Sequence, residues 1–151
     1  MTGPVFTQLN DGWNADPNGP MPAAAVDGST LWLRFKPNHF VYPEYENIPH
    51  VALSFDRCAR FRFTTVNDEG FYRGQCRFTG RAPKWGEFYE VTGDFEAEKR
   101  PEPWTEVSPG SETPRQYLFY FRDECFEAIA GDWNLTKNPP DLSYKEPIYA
   151  A

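Results

Sequence analysis

Ten arginines outnumber five lysines in this chain, and the arginines are clustered. Between residues 57 and 84 stand Arg57, Arg60, Arg62, Arg73, Arg77, Arg81 and Lys84 against only Asp68 and Glu69, a net of +5 in a chain whose total is -7. A guanidinium is a planar fork that grips carboxylate or phosphate with two parallel hydrogen bonds and stacks on aromatic rings. Alternation places these groups. In a hairpin that keeps Phe61 and Phe63 on one face with Tyr72, Cys76 and Phe78, the other face carries Arg60, Arg62, Arg73, Gln75 and Arg77, with 60 opposite 75 and 62 opposite 73. Like charges directly opposite destabilise a sheet by a few tenths of a kcal/mol or more, so such a face must find anions. If Glu87, Glu90 or Glu127 supplies them, the arginines form an internal network. If the face is open, it is a site for a small anionic ligand or an acidic protein partner.

Other residue types capable of chemistry are sparse. His39 and His50 are the only histidines, eleven residues apart with Pro43 and Pro49 between them, which matches no local zinc or metalloprotease spacing. Asn14-Ala15-Asp16-Pro17-Asn18-Gly19 places oxygen ligands at alternate positions before a glycine, as a calcium loop begins. The twelfth position is Ala25, however, where the bidentate glutamate belongs, so the segment reads as a turn-rich loop. Carboxylate pairs such as Glu87 with Glu90, Glu96 with Glu98 and Glu124 with Glu127 could serve a glycosidase, with Trp85 or Trp104 as sugar platforms. An acidic chain produces such pairs without that purpose. The sequence contains no phosphate-cradling glycine motif and no nucleophile elbow. Cys58, Cys76 and Cys125 are an odd set with no CxxC pair and are expected to be reduced and metal-free. No catalytic residue and no cofactor are therefore expected.

The elements that must position these residues are strands. Prolines crowd residues 4–49, 101–114 and 139–147, and interior strands belong in the windows between. Short aromatic-rich runs read as strands at Val51–Phe55, Arg60–Phe63, Phe71–Thr79, Glu87–Phe95, Tyr117–Phe121 and Cys125–Ala130, with an earlier one at Thr30–Phe35 after the Asp27-Gly28 turn. Two hairpins are expected, at 58–79 and 116–130. With 13 Phe, 8 Tyr and 5 Trp, few side chains suffice to fill a core, since each aromatic buries about 150–250 Å². The expected fold is all-β: one domain over 1–151, an antiparallel sandwich or partly closed barrel of seven or eight strands. The alternative is α+β, with one helix on a curved sheet. A polar loop at 10–22, an acidic proline-rich loop at 96–114 and an extended tail from 138 complete it.

Net charge and a pI near 4.8 argue against nucleic acid and against an anionic membrane as partners. The amino end has neither a basic nor an apolar leader region, so a cytoplasmic location is expected. The functional expectation is a non-enzymatic binding or interaction protein, inhibitor-like, selecting an acidic partner with its arginine-rich face. A small anionic or aromatic ligand in a barrel mouth is the alternative, and a hydrolase whose site assembles only in three dimensions is the third.

Overall fold

Thr30 to Phe35 alternates along its length, and the strand it forms buries Leu31, Leu33 and Phe35 while Thr30, Trp32 and Arg34 stay partly exposed on the opposite face. The computed structural model describes residues 4–65, 83–94 and 104–147. In chain order the described strands are β1 (Val5–Gln8), β2 (Ala23–Asp27), β3 (Thr30–Phe35), β4 (Val51–Phe55), β5 (Arg60–Thr65), β6 (Phe88–Thr92), β7 (Thr105–Glu106), β8 (Arg115–Tyr120), β9 (Glu124–Ala130) and β10 (Trp133–Thr136). One 3-10 turn, Pro43–Tyr45, lies between β3 and β4. All pairings are antiparallel.

These strands form two separate sheets, a large one in the order β1-β6-β8-β9-β5-β7 and a small one in the order β10-β4-β3-β2. The expected all-β antiparallel sandwich is the fold; the sheets do not close into a barrel, and no helix covers them among the described residues. The hairpin expected at 116–130 is β8–β9, paired Phe119 to Phe126. Gly28, at φ +61°, turns β2 into β3, a conformation glycine adopts without steric cost. The expected strand at 71–79 and the turn of the 58–79 hairpin lie outside the described residues. One part of that hairpin is overturned. Arg60 and Phe61 already have both edges filled, by Ile129 and Ala128 of β9 and by Glu106 and Thr105 of β7, so 60 cannot pair with 75.

The core lies between the sheets and is built from rings. Phe35 and Phe55 of the small sheet meet Phe119, Tyr117 and Phe126 of the large one, with ring centroids 5.2 Å apart for Phe35–Phe119 and 4.9 Å for Phe55–Tyr117. Trp13, carried in by the 9–22 loop, touches Phe35 and Trp133 of the small sheet and Phe88 and Phe119 of the large one. Edge-to-face and offset ring pairs add about 0.5–1.5 kcal/mol each beyond the area they bury.

The outer face of the large sheet is also apolar. Tyr89, Val91, Leu118, Tyr120 and Cys125 are buried there, with Phe6 and Trp85 against them. This explains why the β6 segment is apolar at successive positions: Phe88 points into the core and Tyr89 into the outer cluster. Gly86, at φ +84°, lets the chain turn before β6 while its N–H bonds the Tyr120 carbonyl at 2.8 Å. Truncating Phe88 to Ala is expected to cost about 3–5 kcal/mol in a denaturant titration. Val5→Ala, on the exposed β1 edge, should stay within about 0.5 kcal/mol of the parent.

Candidate functional site

The arginine face comes first. Arg62 stands directly across from Glu127 in the β5–β9 register, and its Nε donates to Oε2 at 2.8 Å. Both side chains are almost fully buried, at 2% and 4% exposed. The Trp104 ring lies 4.1 Å from the Arg62 guanidinium and 5.1 Å from that of Arg60. Of the three carboxylates that could close this face from within, Glu127 is the one in place. Arg62 is therefore an interior cation held between a carboxylate and an indole, not part of an open surface. Arg60 shares the same ring, and Arg73, Gln75 and Arg77 lie outside the described residues.

The remaining sequence candidates are dispersed. Asp16 accepts hydrogen bonds from the N–H groups of Asn18 and Gly19, so the calcium-like segment is an Asx turn. Asn14 instead donates to Glu87 at 2.8 Å, beside Asn10, which donates to the same carboxylate and to the Trp13 carbonyl. These amides pin the 9–22 loop onto the start of β6. Glu90 faces away from Glu87 and is gripped by Arg115 through Nε and Nη2, at 3.0 and 2.8 Å. Those bonds hold its carboxyl below the ordinary glutamate value, against a smaller opposing effect of burial. Trp85 stacks on Tyr120 and Trp104 lies against the arginines, so both indoles are engaged within the fold. Cys58 and Cys125 are buried; burial pushes the Cys58 thiol up to about 12, which leaves it protonated and poorly nucleophilic. Cys76 lies outside the described residues. Among the described residues no three His, Cys, Asp or Glu side chains gather as a metal site.

A cleft the sequence did not suggest lies on the outer face of the small sheet. Cross-strand pairing sets one row of residues over that face: Ala23 on β2, Arg34 on β3, Ala52 on β4 and Thr136 on β10. The alanines leave space around the guanidinium. One step beyond the paired ends, the β3–β4 register sets Lys36 opposite His50, and the β4–β10 register sets Asn138 on its other side. The tail then supplies a roof. It leaves β10 at one edge of the sheet and joins β2 at the other, where Lys145 and Ala24 exchange backbone hydrogen bonds of 3.0 and 2.8 Å. Residues 137–144 must therefore cross β4, β3 and β2, a span of roughly 19 Å at ~4.8 Å per strand.

Under this crossing is a cleft of about 350 Å³ lined by Arg34, Pro49, His50, Lys137, Asn138, Pro139, Pro140, Asp141 and Tyr144. The Tyr144 ring sits 4.4 Å from the Arg34 guanidinium, and its hydroxyl donates to the Pro140 carbonyl at 3.0 Å. Arg34 Nε is buried with no hydrogen-bond acceptor, and among the described residues no carboxylate lies within 4.0 Å of Arg34, Lys36 or Lys137. Burial first, then Arg34 and Lys36, push His50 below the ordinary histidine value. Arg34 and Lys36 thus oppose the charged form of an imidazole in the same cleft, in a protein that is acidic overall. The findable signal was the β3–β4 register, which alone brings Arg34, Lys36 and His50 together. The contribution of β10 and the tail had none. Comparison of the chain with known protein families, with characterised proteins and with solved structures yields no match.

Two predictions follow from the ion pairs. Removing one partner of a buried pair strands the other, so Arg62→Ala should lose about 3–5 kcal/mol in urea denaturation, while Arg62→Met with Glu127→Leu should recover most of it. Because Glu90 is held low in the folded state, its contribution is present above the unfolded glutamate value and disappears as pH falls through the folded one. The stability gap between the parent and Glu90→Gln should accordingly be widest above pH ~5 and close towards pH ~3 in a pH series of melts.

Proposed function

We propose that this protein is a binding protein whose ligand is a small anion received in the cleft over Arg34. The observation that carries the reading is the Arg34 guanidinium, which lines the cleft with no carboxylate within 4.0 Å among the described residues. A charged hydrogen bond from this guanidinium to an oxyanion in the cleft would be worth about 1.5–3 kcal/mol. With the Tyr144 ring against its face, the guanidinium keeps its in-plane donors for bidentate contact. Lys137 and Lys36 add positive potential, and a partly enclosed cleft concentrates it. Among the described residues the lining contains no serine, threonine or cysteine, which favours reception of a ligand over acyl transfer. The barrel-mouth version of this reading gives way to the sheet face, since the two sheets stay separate.

A second reading, an acidic protein partner selected by the arginine-rich segment, rests on the +5 charge of residues 57–84. Arg62 is withdrawn from it by the Glu127 pair. The test separates the two. Sulfate titrated into the protein in a calorimeter should bind saturably and weaken with added chloride. Arg34→Gln should reduce that affinity about tenfold or more, the worth of a charged hydrogen bond, while Arg60→Gln leaves it unchanged. The reverse pattern would move the site to the arginine segment.

A further inference from the structure

The cleft's charge count narrows its ligand. Arg34 and Lys137 line the cleft against Asp141, and Lys36, outside the lining, acts on His50 from the position cross-strand to it, for a sum of +2 while His50 is uncharged. Two fixed positive charges balance a dianion. The volume narrows it further, because about 350 Å³ lies at the lower end of the range for organic ligands and far exceeds a bare oxyanion. Pro49, Pro139, Pro140 and the Tyr144 ring give the rest of the cleft an apolar wall. We infer that the cleft takes the doubly charged head of a phosphate monoester with a small organic group, and that binding draws one proton from solvent onto His50; this rests on the anion-binding reading above.

The proton follows from what surrounds the imidazole. Arg34 comes from β3 and Lys36 from the residue after it, Lys137, Asp141 and Tyr144 from the tail, and Pro49 from the segment just before β4. In the free protein burial, Arg34 and Lys36 together oppose a charge on His50. A dianion seated among them reverses the sign of the local field and supplies an acceptor for a second N–H. His50 then becomes a donor to the ligand it was previously too crowded by charge to hold. Any group whose proton affinity rises on binding takes up a proton in the interval between its free and bound values, and affinity rises there as pH falls.

The experiment follows the two histidine ring signals by NMR while pH is varied, with inorganic sulfate as the probe because it stays doubly charged across the range. At saturating sulfate the His50 midpoint should move up by about one pH unit or more, and sulfate affinity should gain up to about tenfold per unit of falling pH within that interval. His39, which does not line the cleft, supplies a reference signal that sulfate leaves in place. His50→Asn should bind sulfate with an affinity that no longer varies with pH. For the organic group, phenyl phosphate should bind more tightly than inorganic phosphate and than singly charged phenyl sulfate at pH ~7.5. Sulfate binding with an unmoved His50 midpoint would overturn the proton uptake and leave the anion reading standing. Phenyl phosphate no tighter than inorganic phosphate would overturn the monoester assignment. Absence of saturable binding by all the anions would overturn the anion reading itself.

Discussion

Phe55 projects from the small sheet into a cage made by Phe88, Tyr117 and Phe126 of the large one, and the position of every other element is set relative to that interlock. Aromatic rings cannot slide past one another as aliphatic chains can; each pair fixes a centroid distance and a tilt. With Phe35 keyed between Phe119 and Phe121 one turn of alternation further along, β3 and β4 are held in both register and face. A one-residue slip would move Leu31, Leu33 and Phe35 out of the core and turn Arg34 into it. The position of the cleft is thus a consequence of core packing on the other side of the same sheet.

The two cationic regions show the same residue type in opposite roles. Arg62 is satisfied within the fold by Glu127 and by the face of Trp104. Arg34 has the aromatic face, in Tyr144, without a carboxylate. A buried pair adds little net stability over an apolar substitute but is costly to break, which suits a group that fixes how β5 and β9 meet. An aromatic face without an anion orients a guanidinium while leaving its donors unspent, which suits a group that meets something from outside. The surface chain of Asp56, Arg57, Asp132 and Arg115 is a third arrangement, joining the β4–β5 turn to the β9–β10 turn. Exposed pairs of that kind add a few tenths of a kcal/mol each.

Much of the fold was legible. The expected bounds of Thr30–Phe35 and Val51–Phe55 coincide with β3 and β4, because both runs place apolar residues at alternate positions up to a closing Phe and have turn residues on either side. The β8–β9 hairpin was legible for the same reason. β2 was not: Ala23-Ala24-Ala25 has low strand propensity, and its pairing is imposed by β3 and by the tail at Lys145. β10 is four residues long, and its pairing with β4 is a return across the sheet that no local pattern announces. Since the cleft needs both β10 and the tail, only its Arg34, Lys36 and His50 side was legible, through the β3–β4 register, and the densest charge signal in the sequence is the arginine run instead. There the β5–β9 register sets Arg62 against Glu127.

The most direct measurement of the central claim is a map of backbone amide shifts in ¹⁵N-labelled protein as sulfate is added. Seating of an anion over Arg34 predicts saturable shifts concentrated in residues 34–36, 49–52 and 136–145, the segments that converge on the cleft, and their loss in Arg34→Gln. Saturable shifts concentrated in residues 57–65 instead, or none that saturate, would contradict it.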